Sequence, residues 1–393
     1  MPSPRSLGSV LACLALLGAT LAIQPASAAT ALTVGPVVNA SRMPGNQAET
    51  TIAINPTNPN NIVIVSNIQF GAKLFRGVTF DGGRTWRTDT IADGADGLDL
   101  ACCDPSAAFD RYGNLFLVYL DVKVHDVEIA LSTDGGRSFN SLGAVEDTDG
   151  GNGTNVKIEK GTSSGPAVDQ PTVATGPGGV WVTYKYFAKH QLVRVSGARV
   201  TGKGKVGAFT EPLAVPGSKT GTFGDIVVGP DGQVLVTYQD GIGGEGPATI
   251  WVNLDPDGFG PQGFGPAIRA SGTNVGGFDY IPPQALRSVD AEAGLAWDRS
   301  GEEHEGRVYL VYTNERPAES NNTDIFVRYS DTAGRTWSLP VRVNNDVGRN
   351  SQFNPHIEVD QTTGILGVGW TRVSVGSVTP TASRTTTRCT SRR

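Results

Sequence analysis

Three acidic residues, Glu49, Asp104 and Glu292, and two amides, Gln170 and Asn354, stand at one equivalent position in six copies of a short segment. Phe223 fills the remaining place; Asp225 follows it by two residues, and Asp169 adjoins Gln170. Carboxyl groups that a fold draws together raise one another's pKa, so one of them can hold a proton near neutral pH while another acts as a base. The same groups can hold a hard cation, or they can cap strand starts and bond the neighbouring sheet. From the residues alone, the chemical and the structural readings stay open. Cys102 and Cys103 immediately precede Asp104. Adjacent cysteines either close an eight-membered disulfide ring, which offers a ligand a flat surface, or stay as two thiols; export favours the oxidised form.

The elements that must position these groups recur about 50 to 70 residues apart, a spacing that signals a repeat architecture. Each copy opens with an extended segment: Glu49–Asn55, Asp104–Asp110, Gln170–Gly176, Phe223–Gly229, Glu292–Asp298 and Asn354–Asp360. A turn follows, and then a second extended run ending in an aromatic residue in most copies. Turns such as Asn58-Pro59-Asn60, Tyr112-Gly113-Asn114 and Asp231-Gly232 carry the residues that tight reversals need. A third extended run comes next, as in Val127–Ser132 and Ile325–Ser330, and a fourth, as in Pro340–Val343. Four strands repeated six times predict an all-β fold, a six-bladed β-propeller of four-stranded antiparallel blades. Val34–Asn39 resembles the fourth-strand segment Leu339–Asn344 but precedes the first copy. It is expected to complete the last blade, which closes the ring and covers its edges.

Between third and fourth runs lies an octet, Thr79-Phe80-Asp81-Gly82-Gly83-Arg84-Thr85-Trp86. It recurs as Ser132–Phe139 and, with Thr332 in place of the acid, as Ser330–Trp337. The octet resembles the Asp-box, or BNR repeat, of the sialidase superfamily, and with the blade repeats the resemblance covers most of residues 30–370. It implies a propeller whose Asp-boxes are structural turns on the outside of the blades.

Resemblance to the sialidases also implies an arginine triad for a substrate carboxylate, a Tyr–Glu nucleophile pair and an Asp acid/base. Several of those places hold other residues here. Arg42-Met43-Pro44 loosely echoes an Arg-Ile-Pro signature. The nucleophile's glutamate falls near Phe223 or Asp225, one arginine at Gln239, the tyrosine at Asn354 or His356, and a later arginine at Arg316. The expected catalytic set is Asp104, Glu49, Glu292, Asp225 and Tyr280. Arg42, Asp169, Gln170, Arg287 and Asn354 are expected to contact substrate. The expected partner is a carbohydrate or glycoconjugate, handled either by an exo-glycosidase or by a propeller that binds glycan, cell-wall polymer or protein without turnover.

Composition agrees with a turn-rich β protein: 51 glycines and 18% charged residues in 393. A net charge of −6 argues against nucleic acid. Arg5, the apolar run Leu7–Ile23 and Ala26-Ser27-Ala28 predict a signal peptide over residues 1–28, hence a secreted, extracellular protein with no membrane span. The propeller is expected over 29–375 and to be monomeric. Residues 376–393, rich in Thr, Ser and Arg, read as a disordered basic tail, either genuine or left by a truncated or shifted reading frame. No cofactor is required. Calcium would suit two acidic loops, one with Asp93, Asp96 and Asp99, the other with Asp147 and Asp149. No histidine spacing points to zinc.

Overall fold

The computed structural model describes residues 38–392 apart from 70, 146–167, 188–191, 242, 285, 349 and 373–387. The signal segment, the Asp147–Asp149 loop and residues 34–37 therefore lie outside the described residues.

All the described strands belong to six antiparallel sheets that follow one another along the chain. The first holds β1 (Gln47–Ile54), β2 (Ile62–Ile68), β3 (Leu74–Thr79) and β4 (Arg87–Ile91). The second holds β5 (Ala101–Phe109), β6 (Leu115–Asp121), β7 (Val127–Ser132) and β8 (Asn140–Val145). The third has five strands, β9 (Val168–Gly176), β10 (Gly179–Tyr186), β11 (Val193–Gly202), β12 (Lys205–Val206) and β13 (Leu213–Ala214). The fourth comprises β14 (Thr222–Val228), β15 (Val234–Gln239), β16 (Ala248–Asp255) and β17 (Ile268–Thr273). The fifth comprises β18 (Gly294–Trp297), β19 (Val308–Glu315), β20 (Thr323–Ser330) and β21 (Val341–Arg342). The sixth is β22 (Gln352–Val359), β23 (Leu366–Arg372) and β24 (Arg388–Arg392). The first strands pack in succession, β1 on β5, β5 on β9, β9 on β14, β14 on β18 and β18 on β22, an arrangement that fits a β-propeller.

Two expectations concern the ends of the chain. Residues 376–393 were expected to be disordered, yet Arg388–Arg392 pairs with β23 as a third strand of the sixth sheet. Of the expected closing strand Val34–Asn39, only Val38 and Asn39 are described, and neither is in a strand.

The octets join third strands to fourth, and the acid organises the turn. Asp81 Oδ1 accepts from Thr79 Oγ1 (2.7 Å) and Thr85 N (2.9 Å), and Oδ2 accepts from Thr85 Oγ1 (2.6 Å). Asp134 repeats the pattern with Ser132 and Ser138. In the third copy the Thr332 hydroxyl still accepts from Thr336 N (2.9 Å), so a neutral oxygen suffices. Gly136 must be glycine twice over. Its φ is +89°, and a Cβ there would come within 2.5 Å of Val63 on the preceding sheet.

Apolar side chains on facing sheets interdigitate at five successive interfaces. Val63 and Val65 meet Leu115 and Leu117 between the first and second sheets. Phe116 and Val118 meet Val173 and Val182 at the next. Trp181 meets Ile226 and Val234, Leu235 meets Leu295 and Leu310, and Tyr309 meets Ile357 and Trp370. Among the described residues no such core joins the sixth sheet to the first. Ile52 and Ile54, on the first sheet's outward face, are 61% and 57% exposed. The register explains why. Where other sheets pair Thr51 with Val65 or Ser106 with Val118, the sixth pairs His356 with Gly369 and Glu358 with Gly367. Glycine offers no side chain to cover an isoleucine.

Candidate active site at the channel mouth

The six aligned positions share a backbone conformation. Glu49, Asp104, Gln170, Phe223, Glu292 and Asn354 all have φ between 45° and 55°. In five of the six first strands the pairing register shifts at this point, which marks a β-bulge. Left-handed φ at a non-glycine residue costs on the order of 1–3 kcal/mol and persists only where its surroundings hold it.

What holds it, on one side of the ring, is a relay of hydrogen bonds. The N–H of Asp104 donates to Glu49 Oε2 (3.3 Å), that of Gln170 to Asp104 Oδ2 (3.2 Å), and that of Phe223 to Gln170 Oε1 (2.7 Å). Each bulge residue thus accepts from the bulge residue of the next sheet, until Phe223, which has no acceptor to pass on. A second row runs two residues deeper: Ala107 N donates to Thr51 Oγ1, Val173 N to Ser106 Oγ, and Leu295 N to Asp225 Oδ2 (2.7 Å). For Glu49, Asp104, Gln170 and Asp225 the structural role foreseen as one of two readings is therefore present. It ties neighbouring sheets together.

The carboxyls remain chemically unusual. Burial, then the hydrogen bond and repulsion from Asp104, push Glu49 up to about 7. Asp104 is raised too, by burial and by the Asp169 carboxyl, while its bond from Glu49 opposes this. Across the mouth, Glu292 is pushed to about 7 by burial and by repulsion from Glu49, with Arg287 opposing. Asp290, which the repeat alignment passes over, is buried, raised, and accepts from Glu292 N (2.5 Å). Arg287 Nη2 lies 3.5 Å from Glu49 Oε1, and the same guanidinium opposes the rise at Glu292 and Asp290.

Arg287 and Tyr280 come from the 274–290 loop. Asp279 and Val289 bridge its two arms, and Val275, Ile281 and Val289 pack on Phe353 of the sixth sheet. Buried Gln239 clamps it, donating from Nε2 to Val275 O (3.1 Å) and accepting from Ala291 N (3.0 Å). The position where the sialidase resemblance calls for an arginine is thus a strut. Tyr280 is 48% exposed on that loop. Arg42 lies exposed ahead of β1, its backbone N–H on Asn39 Oδ1, and no ion pair ties it to the carboxyls among the described residues. Asn354 keeps its place in the ring of bulges.

Deeper lies a group the alignment left unused. Glu358 occupies the column that elsewhere holds Ala53, Ala108, Ala174, Val227 and Ala296. A charge in a column of small apolar residues was the available signal. Glu358 keeps an exposed face, yet the atoms crowded around its carboxyl push it up to about 7, with the Arg299 guanidinium opposing and the Asp225 carboxylate adding to the rise; Asp225 itself is lifted to about 6 by burial. Arg299, from the fifth sheet, donates through Nη1 to Thr175 O (2.9 Å) of the third and Val228 O (3.0 Å) of the fourth. Its backbone N–H meets Gln361 Oε1 (2.7 Å) after the sixth sheet's first strand. The Arg299 side chain thus ties the ends of the third and fourth sheets' first strands to the turn that follows β18.

Cys102 and Cys103 are joined in a vicinal disulfide, half-buried against the core between the second and third sheets and next to Asp104. Two carboxylates of the Asp93–Asp99 loop serve its own turn: Asp93 accepts from Ala95 N, and Asp96 from Ala92 N and Leu98 N. Among the described residues, no group of three or more His, Cys, Asp or Glu is placed to hold a metal ion, and no helix is long and apolar enough to cross a membrane.

No family model matches the chain, and no curated protein matches it in sequence. Solved structures do. The intramolecular trans-sialidase of Ruminococcus gnavus, in complex with oseltamivir carboxylate, aligns with a TM-score of 0.53 at 10% identity, over 83% of this chain and 90% of its own. The GH93 alpha-L-arabinofuranosidase of Fusarium graminearum, in complex with arabinobiose, gives 0.52 at 10%, over 88% and 93%. A protein of unknown function from Dyadobacter fermentans gives 0.51 at 14%, over 87% and 94%. At these identities the likeness speaks to fold alone, and the fold is that of the sialidase-like β-propellers.

Proposed function

We propose that the chain is a secreted exo-acting glycoside hydrolase working at the channel mouth. The observation that carries this reading is the opposition of Glu292 and Glu49, two carboxyls raised to about 7 around the single guanidinium of Arg287. A glycosidic oxygen needs an acid that still holds its proton near neutral pH, and a second carboxylate to stabilise or trap the sugar cation. Glu292 is the better acid, because its carboxyl is not committed to the relay that occupies Glu49 and Asp104. Asp169, Gln170 and Asn354 would line the sugar, with Tyr280 stacking from the loop. The vicinal disulfide supports export to an oxidising compartment. Closure of six blades by the N-terminal segment would complete the sixth sheet, which has three described strands.

The test is a panel of aryl glycosides that includes sialosides and α-L-arabinofuranosides. Release of the aryl group by the wild type, reduced at least about a hundredfold in Glu292→Gln, supports the reading. A second reading, a glycan-binding propeller without turnover, is favoured by Gln239, which replaces an expected arginine with a strut. Retention on a glycan array with no hydrolysis of any panel member would select it.

A further inference from the structure

A cavity of about 560 Å³ opens between the outer strands of the fourth sheet and the fifth. Asp240, Thr249, Arg269, Thr273, Asn274, Asn314 and Arg316 supply its polar lining, and the innermost strands contribute nothing to it. We propose that it binds the anionic group of an acidic glycan, a carboxylate or a sulfate. The anion site stands on its own geometry; that the anion is carried by a glycan rests on the function proposed above.

The charge balance of the lining is the argument. Asp240, its one acid, is already used: Oδ1 accepts from Thr249 N (2.6 Å) and Oδ2 from Trp251 Nε1 (2.8 Å). The side chains of Arg269 and Arg316, both exposed, have no hydrogen bond or ion pair among the described residues. Arg316 lies over the Phe326 ring at 4.8 Å, a contact that leaves its N–H groups unused. Room for Arg269 is provided by Gly272, where a Cβ would come within 2.6 Å of Arg269 Nη2. Asn314 Oδ1 accepts from Asn274 N (2.8 Å) and Thr273 Oγ1 (3.3 Å), which leaves its amide N–H groups to donate. The nearby carboxyls of Glu245, Asp279, Glu315 and Glu319 are not in the lining, and none pairs with either guanidinium among the described residues. Two planar cations and an amide donor, in a protein of net charge −6, match the acceptor geometry of a carboxylate or sulfate.

Calorimetric titration with glucuronic acid, inorganic sulfate and neutral glucose tests this on the intact protein. Either anion binding at least about tenfold tighter than glucose, weakening as salt rises, supports the site. The Arg269→Gln/Arg316→Gln pair should remove that preference. Gly272→Ala, which displaces Arg269, should reduce it, and Arg342→Gln, at a pair with Asp324 elsewhere, should leave it intact. Equal binding of glucose and the anions, or anion binding unchanged in the double variant, overturns the proposal. Because Glu292→Gln leaves this pocket untouched, loss of the hydrolytic reading would not change the titration.

Discussion

The interface between the first and second sheets and the seam between the sixth and first are built from the same repeat, yet among the described residues only one carries an apolar core. At the first, Val63 and Val65 meet Leu115 and Leu117, the Gly136 turn seats against Val63, and the bulge relay crosses from Glu49 to Asp104. At the second, Gly367 and Gly369 stand where branched side chains are needed, His356 and Glu358 replace small residues, and Ile52 and Ile54 stay exposed. A repeat fold is held by nearest-neighbour interfaces. Among the described residues, five successive interfaces therefore carry an apolar core and the glycine-lined faces of the sixth sheet carry none toward the first.

The largest effect should come from breaking the sealed side. Leu117→Ala removes a fully buried side chain and should cost about 2–5 kcal/mol in denaturant unfolding. Ile52→Ala at the seam should stay within about 0.5 kcal/mol. Equal costs would mean that the seam is packed in solution and the contrast fails.

Next in size is the relay. Gln170→Ala leaves the Phe223 N–H and the Thr222 hydroxyl without their shared acceptor and should cost about 1–3 kcal/mol. Asn354→Ala, at the equivalent bulge beside the seam, should cost less.

A pH effect should follow from the channel carboxyls. Glu358 and Asp225 have folded pKa values of about 7 and about 6, above their ordinary values. The folded state therefore binds more protons than the unfolded one between about pH 4 and 7, and stability falls as pH rises through that window. Glu358→Gln should flatten the fall in melting temperature, and a curve unchanged by it would remove Glu358 from the titrating set.

The smallest effect sharpens the comparison. A Cβ at Gly367 would meet only Glu358 O, at 3.7 Å. Gly367→Ala should therefore stabilise by about 0.4–1 kcal/mol by restricting the unfolded chain. A loss of stability instead would show that the seam needs bare backbone there.

Much of this was legible in the chain. The octets located the turns between third and fourth strands, and aligning the six copies found Glu49, Asp104, Gln170, Phe223, Glu292 and Asn354 at one position. That position proved to be a single backbone state, a left-handed bulge, because a repeat imposes the same local geometry on whatever residue it holds. Glu358 was visible in the same alignment as a charge among alanines. Gln239 was not readable as a strut, nor Asp290 as part of the acidic group, since both depend on how the 274–290 loop folds back.

By itself, the sequence determined the all-β repeat, its strand order and the ring of bulge residues, because period, turn chemistry and apolar alternation are local properties. Only the tertiary structure decided what each bulge side chain does. Whether a carboxyl ties the next sheet, as Asp104 does through Gln170, or meets a like charge from a distant sheet, as Glu292 does from Glu49, depends on groups far apart in the chain. It also decided which faces carry no apolar core among the described residues, because a glycine in one strand has no consequence until the fold sets what a neighbouring sheet presents.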